Sequence, residues 1–260
     1  KIMNKINFIN PNSEIGKDSI VEPFSYIDKN VIIGNNCWIG NNVTIYSGAR
    51  IGDNVKIFPG AVISSVPQDL KFDGEETLVE IGEGTTVREC VTISRGTKDK
   101  FKTTIGKNCL LMAYSHIAHD CIIEDNCIIV NGVQIAGHTI IGEFAIIGGG
   151  TLIHQFTKIG CHSMISGGSI IRKDVPPYCK AGKEPLAYKG VNSIGLKRRN
   201  FSQDQINQIQ NMYRILYLEG KNISQALKKI SEEITKSNER ETLVEFIRLS
   251  ERGVIKGFLD

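Results

Sequence analysis

Four histidines define the chemistry this chain offers: His116 and His119 within Ser115-His116-Ile117-Ala118-His119-Asp120, His138 after Ala136-Gly137, and His154 before Gln155-Phe156. Imidazole titrates near neutral pH, so clustered histidines suit proton transfer. Each lies off the phase of the aliphatic residues around it and should therefore face outward. If one turn of chain is about three six-residue units, position 119 stacks near 137. That sets His119 beside His138, and Gly137 presents a backbone N–H unobstructed by any side chain. His162 has no such neighbour and is read as a plain surface residue.

The elements that must hold these residues follow from a period of six. From Ile9 to Ile171, 25 of the 28 positions spaced six apart are isoleucine, valine or leucine. The exceptions are Asp69, Glu75 and Asp99, which fall in two interruptions near 64–80 and 94–104. Two residues before each aliphatic position comes a second series, mostly small, as in Cys37, Ala49, Ala61, Cys121 and Ala145. A helix needs apolar spacings of three and four, and a simple strand alternates with period two. Period six fits a short strand and a turn repeated around a coil, the hexapeptide repeat of a parallel β-helix. Zinc stays open at this point, because histidines from adjoining subunits of a β-helix trimer bind it. Periodicity does not separate a metal site from acid–base work.

The expected organisation is a mainly β protein, with a parallel β-helix over 1–190 and an α-helical domain over 191–260. Asp174-Val175-Pro176-Pro177 should end the repeat, since proline removes a ladder donor. Ser202 and Gln205 form a capping box for one helix, which Gly220 stops. Ser224 is expected to cap a second helix carrying Ala226, Leu227, Ile230 and Ile234, and a third should cover about 239–252 with Leu243, Phe246, Ile247 and Leu249. Four cysteines (Cys37, Cys109, Cys121 and Cys127) share the small inward phase and are read, with the other three, as structural thiols. The net charge of +3 is too small to argue for nucleic acid. No run of about 18 apolar residues suggests a membrane span. Met3 is read as the initiator, and a cytoplasmic location is expected in the absence of a secretory leader pattern. The lysines of the second interruption (Lys98, Lys100 and Lys102) and the run Lys197-Arg198-Arg199 are candidate clamps for phosphate or acidic partners.

Six motifs occur in order: Gln68-Asp69-Leu70-Lys71, His116-Ile117-Ala118-His119-Asp120-Cys121, Ala136-Gly137-His138, His154-Gln155-Phe156, Asp174-Val175-Pro176-Pro177-Tyr178 and Gly195-Leu196-Lys197-Arg198-Arg199. Together they resemble the UDP-N-acetylglucosamine O-acyltransferases of bacterial lipid A synthesis over nearly the whole chain. The resemblance implies a homotrimer of left-handed parallel β-helices with active sites between subunits. It implies transfer of an (R)-3-hydroxyacyl group from acyl carrier protein to the 3-hydroxyl of UDP-N-acetylglucosamine, with no cofactor and no metal. His119 matches the general base, Asp120 the carboxylate that orients it, and Gly137 the oxyanion donor. Gln68, Asp69, Lys71, His116, His138 and Gln155 match sugar-side and substrate contacts, and His154, Asn192, Arg198 and Arg199 match nucleotide or carrier-arm contacts. Gly167 matches the position that limits acyl length.

Two positions depart from the family pattern: Ser94 replaces a histidine after Val-Thr-Ile, and Ile194 replaces an acidic residue after Gly-Val-Asn. Both are expected at the periphery, near donor or uridine. Rival readings are N-acylation of a 3-amino UDP-sugar, a zinc-dependent hydratase similar to the γ-type carbonic anhydrases, and a structural β-helix with a flat binding face.

Overall fold

The computed structural model describes residues 6–257; Met3, read above as the initiator, lies outside them. The hexad folds into short strands, mostly two residues long, nearly all ending on the periodic aliphatic residue. Coil strands pair in parallel one turn apart, so Ile27 lies on Ile45, Ile123 on Ile141 and Ile147 on Ile165. Among the described residues this builds three sheets of nine, eight and ten strands, wound as a left-handed parallel β-helix. The periodic isoleucines fill its interior, and nearly all are fully buried. Each such side chain is worth about 1.5–3 kcal/mol over exposure. The outermost coil differs from expectation, because Ile9 is 41% exposed and Ile15 half-buried. The first turn lacks a neighbour on one side to complete its core.

The second series earns its place through the corners. A small side chain there fits the tight bend and also satisfies a corner carbonyl. Thr139 Oγ1 donates to the Ala136 carbonyl (2.7 Å), Thr157 Oγ1 to that of His154 (2.6 Å) and Cys121 Sγ to that of Ala136 (3.2 Å). All seven cysteines are free, and burial pushes the Cys121 thiol up to about 12. Such thiols act as core fillers rather than nucleophiles.

Both interruptions leave the stack at one corner. The step between stacked residues is 18 from Thr44 to Val62, then 30 from Val62 to Thr92 and 24 from Thr92 to His116. The extra residues lie between Val62–Ser65 and Leu78–Ile81, and between Thr92–Ser94 and Lys102–Ile105. Each passes from the first sheet to the second, and the corner carrying His119, Gly137 and Gln155 makes the same passage on later coils.

The prolines do not end the stack. Cys179–Gly182 adds one more parallel strand beside Met164–Ile165, and Ala187–Val191 turns back on it antiparallel. Four helices follow: α1 (Ser193–Arg198), α2 (Gln203–Leu218), α3 (Ile223–Glu233) and α4 (Asn238–Arg248). Ser202 and Gln205 form the expected capping box, and Gly220 follows α2 with φ +66°. The cap of α3 is Asn222 with Gln225, not Ser224, because the Asn222 side-chain oxygen accepts the Gln225 N–H at 2.9 Å. Ile234 is a C-cap rather than a core helix residue, and α4 stops at Arg248, leaving Leu249 exposed as its cap. The short helix α1 has too few residues to show a period, and sequence reasoning did not separate it. Buried Tyr213 ties the helices to the stack by donating its hydroxyl to the Pro177 carbonyl.

Candidate active site

Three successive coils bring Ala118-His119-Asp120, Ala136-Gly137-His138 and His154-Gln155-Phe156 to the shared corner. Asp120, His138 and Phe156 each hold positive φ (58°, 61° and 62°), which turns the chain and aims the preceding side chains outward. Asp and His tolerate this conformation better than most residues. The outward geometry inferred from the phase is the one observed. The His119 and His138 rings meet edge to face at 5.1 Å, and His138 stacks on Phe156 at 4.4 Å. A Cβ placed on Gly137 would stand 2.6 Å from His119 Cε1, so only glycine fits there. Among the described residues no acceptor meets the buried Gly137 N–H. An unpaired buried N–H is uncommon and leaves a donor available to a ligand.

Asp120 is fully buried and holds His119 Nδ1 at 2.8 Å through Oδ2. The same oxygen accepts the Thr97 hydroxyl at 2.7 Å, while Oδ1 accepts the backbone N–H groups of Thr97 (3.0 Å) and Lys100 (3.2 Å). Burial alone would raise the Asp120 carboxyl, but the hydrogen bonds from His119 and Thr97 outweigh it and hold the group at about 2. An ionised carboxylate only accepts, so Nδ1 of His119 carries the proton and Nε2 is left with a lone pair. The His119 side chain is 12% exposed. Burial lowers the pKa of His138, against the opposing charge of Asp120, and burial followed by the proximity of His119 lowers that of His116. His138 Nδ1 stands 3.2 Å from Asp99 Oδ2, a charge contact without hydrogen-bond alignment. His116 Nδ1 pairs with Thr92 Oγ1 at 2.7 Å.

A cleft of about 450 Å³ opens on this corner and runs along the first sheet, lined by Gln68, Ser94, His116, His119, Gly137, His154 and Gln155 among others. A second cleft of about 350 Å³ holds Asp69, Lys71, Asp99, His138 and Phe156. Nine of the predicted site residues therefore gather around one corner, with Asp120 directly behind it. Ser94, expected at the periphery, lines the first cleft itself, with Oγ 3.2 Å from Ser65 Oγ.

Four predicted residues lie elsewhere on the chain. Gly167 sits at the corner between the third and first sheets, where an added Cβ would meet the Gly149 carbonyl at 3.0 Å. Asn192 is buried, caps α1 and donates to the His162 carbonyl at 2.9 Å. Arg199 lies over the Phe144 ring and donates to the Phe144 carbonyl at 3.0 Å, and Arg198 is exposed. His162 is no plain surface residue. Its ring stacks between Phe144 and Tyr178 and meets the edge of Phe201, and burial, followed by Arg199, lowers its pKa to about 4.

Of the loop lysines that are candidate clamps for acidic partners, two have partners within the chain. Lys102 pairs with Glu80 at 2.8 Å, and Lys100 Nζ reaches the Asp120 carbonyl at 3.4 Å. Sequence reasoning missed Thr97, Asp99 and Phe156. The available signal was the place of the loop, on the same corner one coil before His119. His119, Asp120 and His138 offer three ligand atoms within 4.8 Å of one another, which meets the spacing for a metal. Both Asp120 oxygens, however, already accept two donors each, so coordination would have to displace the contact that orients His119. The arrangement suits a base, an orienting carboxylate and an oxyanion donor converging on one cleft.

A family model described as UDP-N-acetylglucosamine O-acyltransferase, domain 2, matches residues 174–255, and the bacterial transferase hexapeptide model matches 30–65 and 102–137. An acyl-[acyl-carrier-protein]–UDP-N-acetylglucosamine O-acyltransferase of Aquifex aeolicus is 56% identical over 200 residues, 76% of this chain and 77% of that protein. The protein of that name from Psychromonas ingrahamii is 58% identical, over 73% of this chain and 72% of its own length. The solved UDP-N-acetylglucosamine acyltransferase of Bacteroides fragilis is 49% identical, with a TM-score of 0.96, covering 98% of this chain and all of that one.

Proposed function

The chain belongs to the UDP-N-acetylglucosamine O-acyltransferase family and is an acyltransferase, and from that premise we propose that it moves an (R)-3-hydroxyacyl chain from acyl carrier protein to the 3-hydroxyl of UDP-N-acetylglucosamine, opening lipid A synthesis. Donor and acceptor classes rest on the names of the relatives. The observation that carries the mechanism is the fixed His119–Asp120 pair beside the unpaired Gly137 N–H. His119 Nε2 takes the proton of the sugar 3-hydroxyl as its oxygen attacks the thioester carbonyl. The Gly137 N–H donates to the oxyanion that forms, and Asp120 stabilises the imidazolium. Collapse of the tetrahedral adduct breaks the carbon–sulfur bond, and His119 returns the proton to the departing thiolate. Gln68, Asp69, Lys71, His116, His138 and Gln155 hold the sugar side.

The remaining four residues support a homotrimer. Gly167, Asn192, Arg198 and Arg199 stand on other corners of the same chain and reach a cleft at His119 only from a neighbouring copy. Leu70, fully exposed at the tip of the first loop beside Asp69 and Lys71, fits the same arrangement. In this reading the β-helix of 1–190 supplies the cleft, and the helical part, 191–260, supplies the neighbour's arginines. A donor held on acyl carrier protein fits the expected cytoplasmic location. Among the described residues no helix is long and apolar enough to cross a membrane.

The test is acyl transfer by purified protein offered 3-hydroxyacyl carrier protein with either UDP-N-acetylglucosamine or its 3-amino analogue. Ester product from the hydroxyl sugar is expected. Amide product from the amino sugar alone would overturn the O-acylation reading.

A further inference from the structure

The second loop does something neither its charge nor the relatives assign. Residues 95–101 bend over the corner one coil before His119, and Thr97 lies there buried. Its hydroxyl donates to Asp120 Oδ2, the oxygen that also holds His119 Nδ1, and its backbone N–H donates to Oδ1. The Thr97 hydroxyl in turn accepts the Asp99 N–H at 3.3 Å, and the Asp99 carboxylate faces His138. One hydroxyl therefore links the carboxylate behind the base to the residue that faces the second imidazole.

We infer that Thr97 is the positioning residue of the His119–Asp120 pair, fixing the carboxylate so that His119 Nε2 points into the cleft. This rests on the reading of His119 as general base. A carboxylate oxygen that accepts two donors has a defined in-plane orientation, and loss of one donor frees it to rotate. Isosteric Thr97→Val keeps the volume and the backbone N–H but removes the hydroxyl. Thr97→Ser keeps the hydroxyl.

The charged and titratable groups around Asp120 are His119 at 2.8 Å, His138 at 3.9 Å, Lys100 Nζ at the Asp120 carbonyl, Asp99 behind His138, and the adjoining buried Cys121 thiol. Removing the Thr97 donor leaves more unshared charge on Asp120. A more charged carboxylate holds a proton on its imidazole partner more strongly, which moves the acid limb of activity to higher pH.

The experiment is the pH profile of kcat and kcat/KM for wild type, Thr97→Val and Thr97→Ser in the transfer assay, with circular dichroism of each. Thr97→Val is expected to lose on the order of 10- to 100-fold in kcat, with little change in acceptor KM and an acid limb displaced upward. Thr97→Ser should restore both. A Thr97→Val enzyme matching an active wild type overturns the inference alone, as does equal loss in Val and Ser variants with an unmoved limb. An inactive wild type would instead remove the reading on which the inference stands.

Discussion

Coils before and after the two loops share an interior and differ outside it. Inside, Ile27, Ile45 and Ile63 in the early coils are as buried as Ile117, Ile123 and Ile141 in the later ones. Outside, the first sheet begins with Phe8, Tyr26, Thr44 and Val62 and continues with Thr92, His116, Gln134 and Leu152. On the shared corner, the positive-φ position is Asn30 and Gly48 in the scaffold coils but Asp120, His138 and Phe156 at the cleft. Asparagine and glycine are the inexpensive occupants of that conformation. The corner between the second and third sheets repeats the lesson: Asn36, Asn54 and Asn108 give way to Phe144, His162 and Tyr178 where the helices pack. The period fixes the inside everywhere, and on these two corners aromatic and histidine side chains take the turn only where the cleft or the helices lie.

The largest effect that should separate the two regions is Asp120→Asn, which keeps the shape but changes the charge. Turnover should fall on the order of 10²–10⁴-fold, since the amide no longer fixes the His119 tautomer; steady-state kinetics checks this. The same carboxyl, held at about 2 against an ordinary 3.8, contributes stability above about pH 4 that is lost as pH falls through about 2. Denaturant unfolding across that window should show a smaller acid loss in Asp120→Asn than in wild type.

The interiors of early and later coils should tolerate loss of packing equally poorly. Ile45→Ala and Ile141→Ala should each cost about 2–5 kcal/mol by denaturant unfolding, in the scaffold and beside the site alike. Glycines, by contrast, should diverge. Gly137→Ala keeps the backbone N–H but sets a Cβ 2.6 Å from His119 Cε1, and displacing that ring should lower kcat on the order of 10²-fold. Gly34→Ala, whose Cβ would stand 2.4 Å from Asp53 Oδ1, should lower the melting temperature and leave the kcat of folded enzyme near wild type. The smallest effect is Asn36→Ala, expected to cost about 1 kcal/mol for a non-glycine left-handed turn.

The interior was legible because period six has one simple geometric solution, and the phase also told which way His119 and His138 face. The histidine cluster and the place of Gly137 follow from stacking 119 on 137. What the period does not encode is the path of inserted chain. Thr97, Asp99 and Ser94 belong to the site through a loop whose composition reads only as basic and polar. His162 was misjudged because its partners Tyr178 and Phe201 come from beyond the repeat. The start of α3 slipped by two positions where Asn222 and Ser224 offered competing caps, and α4 ends four residues before the expected 252. The roles of Asn192 and Arg199 rest on resemblance, since within one chain they sit on α1 and beside Phe144, away from the cleft.

The proposed mechanism makes His119, held by Asp120, the base. Its most direct test is kcat of His119→Ala beside wild type with 3-hydroxyacyl carrier protein and UDP-N-acetylglucosamine, in protein shown by melting temperature to be folded. A fall on the order of 10²–10⁴-fold is predicted. A folded variant that keeps turnover within a few-fold of wild type would contradict the account.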